Sequence, residues 1–308
     1  MDNAYVRGFP PQTLDKVDRL LDLLEEMSQH PGLRGKLALH GGTAINLFML
    51  GVPRLSVDID VSYVGAVARE AMLAERPTIE RSIEEVARSQ GYSVSGDKGD
   101  HAGRTFTLNY HSQWGPDHVK VDCIYMNRLP LSPVQSRTSP VRPGLGVPMF
   151  SDAELAGGKV KAFYDRVKVR DLYDVSNLGQ VIAGWPDKER TRAHEVILWY
   201  ASLSASFPFG FEGRTGRFAG RERDLEEQLW PMLRLDAGRP TMDELVARAN
   251  TFVRDLVLPR TDAEQDYLDR FASGDYQPQL LFDDKAMARS ALESPEAQWK
   301  LRNLRQMP

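Results

Sequence analysis

Cysteine is almost missing from this chain, with Cys123 the single example in 308 residues. That excludes an internal disulfide and a cysteine-rich zinc site, and it suits a reducing compartment. Long apolar runs are missing too. None approaches the ~20 residues that span a bilayer, and no basic-then-apolar leader opens the sequence. The expectation is therefore a soluble, cytoplasmic protein with no membrane partner. Zinc-ligand spacing is absent among the six histidines. An excess of positive charge is lacking as well. The net charge is −4, so any contact with RNA or DNA must use a local basic patch.

What is present suits two ordinary folded domains. Apolar residues at helical spacing (Leu14, Val17, Leu20, Leu21, Leu24) predict a helix over 13–29, with Thr13 as its N-cap. A short strand over 36–40, a short helix over 42–50, a strand over 56–63 and a long helix over 66–90 follow. Strand-like runs at 92–95, 104–110 and 118–126 come next. The proline-rich stretch 129–148 excludes a regular helix and reads as an extended connector. Beyond it, helical patterns cover 151–166, 170–183, 187–205, 222–235, 241–258 and 262–272. The outline is α+β: an α/β domain over 1–148, its last part the connector, then a helical domain over 149–308.

The most informative stretch is 39–62. A glycine pair, Gly41-Gly42, follows an apolar strand and opens a helix at Thr43. A second apolar strand then carries Asp58 and Asp60. Alternate strand residues share a face, so the two aspartates project together beside the glycine turn. Glycines let the backbone approach a ligand closely, and helix amides can hold phosphates. Ser56, on the same side of the strand as Asp58, can touch a phosphate or simply make a strand-start hydrogen bond. Paired carboxylates hold the divalent metal ions of phosphoryl transfer, and Asp122 in the apolar run 120–124 is a third candidate ligand. The expected metal set is Asp58, Asp60 and Asp122 with Mg²⁺ or Mn²⁺. Cys123 alternates with Asp122 and should face a core, and His40 reads as a packing residue.

Gly41-Gly42-Thr43 followed by Arg54-x-Ser56-x-Asp58-Ile-Asp60 resembles the signature of the DNA-polymerase-β-like nucleotidyltransferases. More closely it is similar to the AbiEii/AbiGii toxin family of bacterial toxin–antitoxin and phage-defence systems. Asp122 matches that family's apolar-Asp-apolar strand. A second block matches as well: Lys159 after an acidic-apolar helix start, then Arg166, then Arg170-Asp171-x-x-Asp174. The resemblance implies a polymerase-β-like N-terminal domain with a mixed sheet and an all-helical C-terminal domain. It also implies an NTP substrate, transfer to RNA at the tRNA 3′ end, and a cognate antitoxin. A small-molecule or protein acceptor, or a catalytically idle nucleotide- or RNA-binding module, is the alternative.

On one continuous helix, Lys159, Arg166, Arg170 and Asp174 would share a face at ~100° per residue. That favours Lys159 as a phosphate ligand, with Arg166 and Arg170 as electrostatic partners and both Asp171 and Asp174 retained as catalytic candidates. A plain solvated helix with i,i+4 ion pairs is the other reading. Gly157-Gly158 near this helix start is explained by close packing against the acidic strand, by a close triphosphate, or by a frayed first turn. The stretch 207–223 mixes phenylalanine, glycine and arginine. It is either an RNA-contacting loop, through Arg214, Arg217, Arg221 and Arg223, or an interhelical loop pinned by its phenylalanines. The expected catalytic cleft lies between the two domains.

Overall fold

The computed structural model describes residues 4–97 and 99–306. The chain divides into one unit of Met1–Phe150 with Met232–Asp236 and a second of Ser151–Pro231 with Ala237–Pro308. The first unit is built on a mixed sheet. Its strands are β1 (Leu37–His40), β2 (Asp58–Tyr63), β3 (Ser93–Ser95), β4 (Gly103–Ser112), β5 (Gly115–Ile124), β6 (Gln135–Thr138) and β7 (Gly146–Met149). They lie in the order β3-β4-β5-β2-β1-β7-β6. β2 pairs with β5, and β1 with β7, in parallel; the other neighbours are antiparallel.

Alternation along β4 and β5 makes the sheet two-sided. Phe106, Leu108, Val119, Val121 and Cys123 are buried, whereas the residues between them are polar and partly or fully exposed. Each apolar side chain so buried contributes roughly 1.5–3 kcal/mol. Helix α1 (Pro11–Gln29) packs on β2, β5 and β7 and on helix α3 (Arg69–Ser89) through its apolar stripe. α1 begins at Pro11, two residues before Thr13, because a proline at the first helical position leaves no N–H unsatisfied.

The proline-rich stretch is extended, as its composition requires, and it also builds the sheet edge. β7 pairs with β1 at Leu39↔Met149, and β6 pairs back on β7. The segment 232–236 returns from far along the chain. Leu55 N–H donates to the Met232 carbonyl at 2.8 Å, and Leu235 N–H to the Gly8 carbonyl at 2.6 Å.

The second unit is helical. Its longer helices are α4 (Asp152–Asp165), α5 (Val169–Ala183), α6 (Asp187–Ser202), α8 (Met242–Leu256) and α9 (Asp262–Ala272). The expected helix over 222–235 is instead broken into α7 (Glu222–Asp224), a π-turn Leu225–Leu229 and a 3₁₀ turn Trp230–Met232. Pro231 has no N–H to continue it. Two further helices, Lys285–Glu293 and Pro295–Leu304, extend the unit beyond the expected set. Their starts were marked by Asp284, whose side chain accepts from Ala286 N–H, and by Ser294 before Pro295, whose hydroxyl accepts from Ala297 N–H. No helix among the described residues is long and apolar enough to cross a membrane.

Candidate active site

Parallel pairing of β2 with β5 sets Asp60 opposite Asp122 and Asp58 opposite Lys120. Asp58, Asp60 and Asp122 therefore stand on one face and are half-buried, while Ile59, Val121 and Cys123 between them point into the core. Burial pushes the Cys123 thiol up to about 12, which makes it an inert packing group. Burial likewise raises the Asp122 carboxyl above its ordinary value, and the negative charges of Asp60 and Asp58 add to the rise. Thr105, opposite Asp122 on β4, pulls the other way by donating its hydroxyl to Asp122 Oδ1 at 2.5 Å. Thr105 was not among the sequence candidates. Its only signal was alternation within 104–110, which says nothing about which strand lies beside it.

The glycine turn is shaped around these carboxylates. β1 ends at His40, paired with Asp60, and the chain enters the short helix α2 (Gly41–Ala44) with Gly41 at φ +72°. A side chain there would also strike Asp60, with a Cβ only 2.6 Å from Asp60 Cγ. Thr43 is fully buried, and its hydroxyl donates to the Asp58 carbonyl at 2.5 Å, tying α2 to the acidic strand. At Gly42 a Cβ would come within 3.0 Å of Ser56 Oγ and 3.2 Å of Arg54 Nη2. Arg54 is buried and donates to the Leu55 carbonyl at 2.8 Å. It too was absent from the candidate set, although it stood in the Arg54-x-Ser56-x-Asp58 pattern. His40 stacks on Phe150, with ring centroids 5.7 Å apart.

The second unit holds the other candidates. Ser151 caps α4, accepting from Glu154 N–H. Gly157 is required by packing against α6, because a Cβ there would run into the Tyr200 ring; the space beside Gly158 is open. The helix then stops, with Arg166 in extended backbone, and α5 starts only at Val169. One continuous helical face over 159–174 therefore does not exist. Instead α5 folds back so that Asp171 and Asp174 both reach the buried Lys159 ammonium, at 2.9 and 3.0 Å. Arg166 donates to Asp171 through Nε at 2.7 Å and Nη2 at 3.2 Å. Burial alone would raise the Asp171 carboxyl, but Lys159 and Arg166 hold it well below the usual carboxylate range. Arg170 is half-buried on the first turn of α5.

The 207–223 stretch is pinned by Phe207, Phe211 and Phe218, all buried. Arg214 donates to the Phe163 and Tyr164 carbonyls at the end of α4. Arg221 pairs with Asp224 and Arg223 with Glu227, and Arg217 is exposed. A cavity of about 810 Å³ in this unit, lined by α5, α6 and α8, includes none of the candidate acidic residues.

A family model described as "Nucleotidyl transferase AbiEii toxin, Type IV TA system" matches residues 22–302. The chain belongs to the AbiEii family. It is a nucleotidyltransferase and a toxin of a type IV toxin–antitoxin system, so a nucleoside triphosphate is its substrate and an antitoxin its partner. Among solved structures, this AbiEii protein is similar to MenT4, a nucleotidyltransferase toxin of Mycobacterium tuberculosis H37Rv. Identity is 18%, coverage 98% of each chain, and the TM-score 0.55. A putative nucleotidyltransferase from H. pylori is 15% identical, over 80% of this chain and 95% of that one, with a TM-score of 0.50. These two likenesses concern the fold. No curated protein matches the sequence.

Carboxylate oxygens are the donors that hard divalent cations such as Mg²⁺ take, so the set on the AbiEii sheet is chemically suited to one. Among the described residues no three acidic, histidine or cysteine side chains converge on one point. Asp60 lies against Gly41 and Asp122 against Thr105, on the common face. The negative charges of Asp60 and Asp58, which add to the rise that burial gives Asp122, are what a bound cation would offset.

Proposed function

We propose that this AbiEii-family toxin transfers a nucleoside monophosphate from an NTP to the 3′ end of an RNA, tRNA being the acceptor, in the cytoplasm. The acceptor 3′-hydroxyl gives its proton to the Asp122 carboxylate as its oxygen bonds to the α-phosphorus, the bond from the α-phosphorus to the bridging β-phosphate oxygen breaks, and pyrophosphate leaves. The observation that carries the reading is the register of β2 on β5, which sets Asp60 beside Asp122 on the face that also bears Asp58. Asp58 and Asp60 would hold Mg²⁺ or Mn²⁺, with Asp122 completing the set and orienting the acceptor hydroxyl. The metal, when bound, offsets charge on the attacking and leaving oxygens.

The chain's own part is positional. Gly41 and Gly42 bring backbone to the phosphates, Ser56 adds a hydroxyl, and Thr43 holds α2 to the Asp58 carbonyl. Within the helical unit, Arg166 and Arg170 supply positive charge, since the buried Lys159 ammonium is already met by two carboxylates. Asp171 and Asp174 hold the Lys159 side chain by ion pairs at 2.9 and 3.0 Å. Incubation with each labelled NTP, Mg²⁺ and total RNA tests this reading. Label in tRNA is expected. Label confined to protein or a small molecule would remove RNA as the acceptor, and transfer surviving in Asp58→Ala would remove the metal assignment.

A further inference from the structure

The sheet face that carries the carboxylates does not end with them. β4 and β5 extend beyond Asp122, and on the same face, two and four residues along β5, stand Lys120, exposed, and His118, half-buried. At ~3.4 Å per residue these lie ~7 and ~14 Å from Asp122 along the strand. Register places Thr107 beside Lys120 and Asn109 beside His118 on β4, with exposed His111 diagonal to His118. The β4–β5 hairpin ends in Trp114, which is 41% exposed. A concavity of about 570 Å³ at this end of the hairpin is lined by Asn109, Tyr110, His111, Pro116, Asp117 and His118.

One solvated face is common in antiparallel sheets and needs no ligand. Two features set this one apart. It is continuous with the carboxylate site through the Asp60–Asp122 pair. Beyond Asp122, the β3, β4 and β5 residues that share its parity include no carboxylate, the acidic neighbours being Asp58, opposite Lys120 on β2, and Asp117, beside His118. Asp117 has the opposite parity and is tied to Lys16 at 3.0 Å and to the Tyr110 hydroxyl at 3.3 Å, and its Oδ1 also lies 3.8 Å from His118 Nδ1. The remaining groups are a cation, two imidazoles and hydroxyl or amide side chains, with the exposed Trp114 indole at the hairpin turn. That is the composition that holds single-stranded nucleic acid, with cations for phosphates and aromatic faces for unstacked bases.

We propose that the open face of β4 and β5, from Asp122 through Lys120, His118 and His111 to Trp114, binds the single-stranded 3′ end of the acceptor RNA and feeds it to the carboxylates. This rests on the RNA-transfer reading above, and the test separates the two. Full-length His111→Ala/His118→Ala, Trp114→Ala and Lys120→Ala are compared with wild type. The readouts are binding of fluorescein-labelled tRNA without NTP, calorimetric NTP binding without RNA, and KM for each substrate.

Expected are a roughly ten-fold weaker tRNA Kd and higher tRNA KM for the double variant and for Trp114→Ala, with NTP affinity unchanged. Lys120→Ala should lower the slope of log Kd against log salt by about 0.7, the loss of one single-strand phosphate contact. Ser95→Lys, adding a cation to the same face from β3, should tighten tRNA binding. All these side chains reach solvent, so the thermal midpoints should stay with wild type. A tRNA Kd within two-fold of wild type across all variants overturns the surface while leaving RNA transfer intact. A wild type that labels no RNA overturns the transfer reading and this surface with it.

Discussion

Gly41→Ala is the substitution whose consequences the geometry defines best. Two costs combine. At φ +72° an alanine adopts a left-handed conformation, which costs roughly 1–2 kcal/mol. Its Cβ also meets Asp60 Cβ at 2.7 Å, where ordinary contact begins at 3.4 Å. A carboxylate oxygen could swing away, but Asp60 Cβ is fixed to β2. The strand pair His40↔Asp60 must therefore open by roughly 0.7 Å, and overpacking of this kind costs roughly 1–3 kcal/mol.

Together these predict about 2–5 kcal/mol, or a fall of roughly 4–20 °C in the melting midpoint of the first unit. Displacing Asp60 by that distance should cost nucleotidyl transfer roughly 10–100-fold in kcat/KM. Gly51→Ala is the control. Gly51 has φ +68° but nothing within 4 Å of its Cβ position. It should lose only the backbone term, about 1–2 kcal/mol, and keep full activity. Scanning calorimetry and initial rates with labelled NTP read both. If Gly41→Ala melts no lower than Gly51→Ala and retains activity within three-fold, the contact with Asp60 is not why a glycine stands there.

Other outcomes follow from the second unit and from the acidic face. Gly157→Ala should lower the urea midpoint by the equivalent of about 1–3 kcal/mol through its clash with Tyr200, whereas Gly158→Ala, in open space, should raise it by up to ~1 kcal/mol through helix propensity. Lys159→Met leaves two buried carboxylates facing each other and should cost about 3–5 kcal/mol in urea unfolding. Arg166→Met, whose guanidinium is 57% exposed, should cost at most about 1 kcal/mol. Glu195 is pushed up to about 7 by burial and by the charges of Asp283 and Glu264. The folded state therefore holds a proton that the unfolded chain releases near 4.5. The stability this group contributes falls as pH rises from 4.5 to 7 and is lost above that. Glu195→Gln should thus melt with wild type below pH 4.5 and above it at pH 8; equal midpoints at pH 8 would refute the shift. Thr105→Val should lower transfer activity through loss of the Asp122 hydrogen bond, with Thr105→Ser restoring it.

Much of the candidate site's geometry was legible because it is local. Two aspartates separated by one strand residue must share a face whatever surrounds them, and a glycine pair between a strand and a helix start marks a close backbone approach. The isolated Cys123 was legible for the same reason, since alternation with Asp122 sends it inward. Where the pattern depended on a partner, it failed. The helical face drawn through Lys159, Arg166, Arg170 and Asp174 assumed an unbroken helix, and the chain breaks after Asp165. The glycine pair at 157–158 has its cause in Tyr200, which lies on another helix.

The amino-acid sequence by itself determined that Asp58 and Asp60 project together beside a glycine turn, because period-two geometry and backbone freedom act within a few residues. It also determined that 129–148 is extended, since proline forbids the helix. Only tertiary structure decided that Asp122 and Thr105 meet Asp60, that Lys159 is enclosed by Asp171 and Asp174, and that residues 232–236 pack on Gly8 and Leu55. Strand register and the ion pairs of a folded-back helix depend on hydrogen bonds and burial between distant segments. No local period encodes which segments those will be.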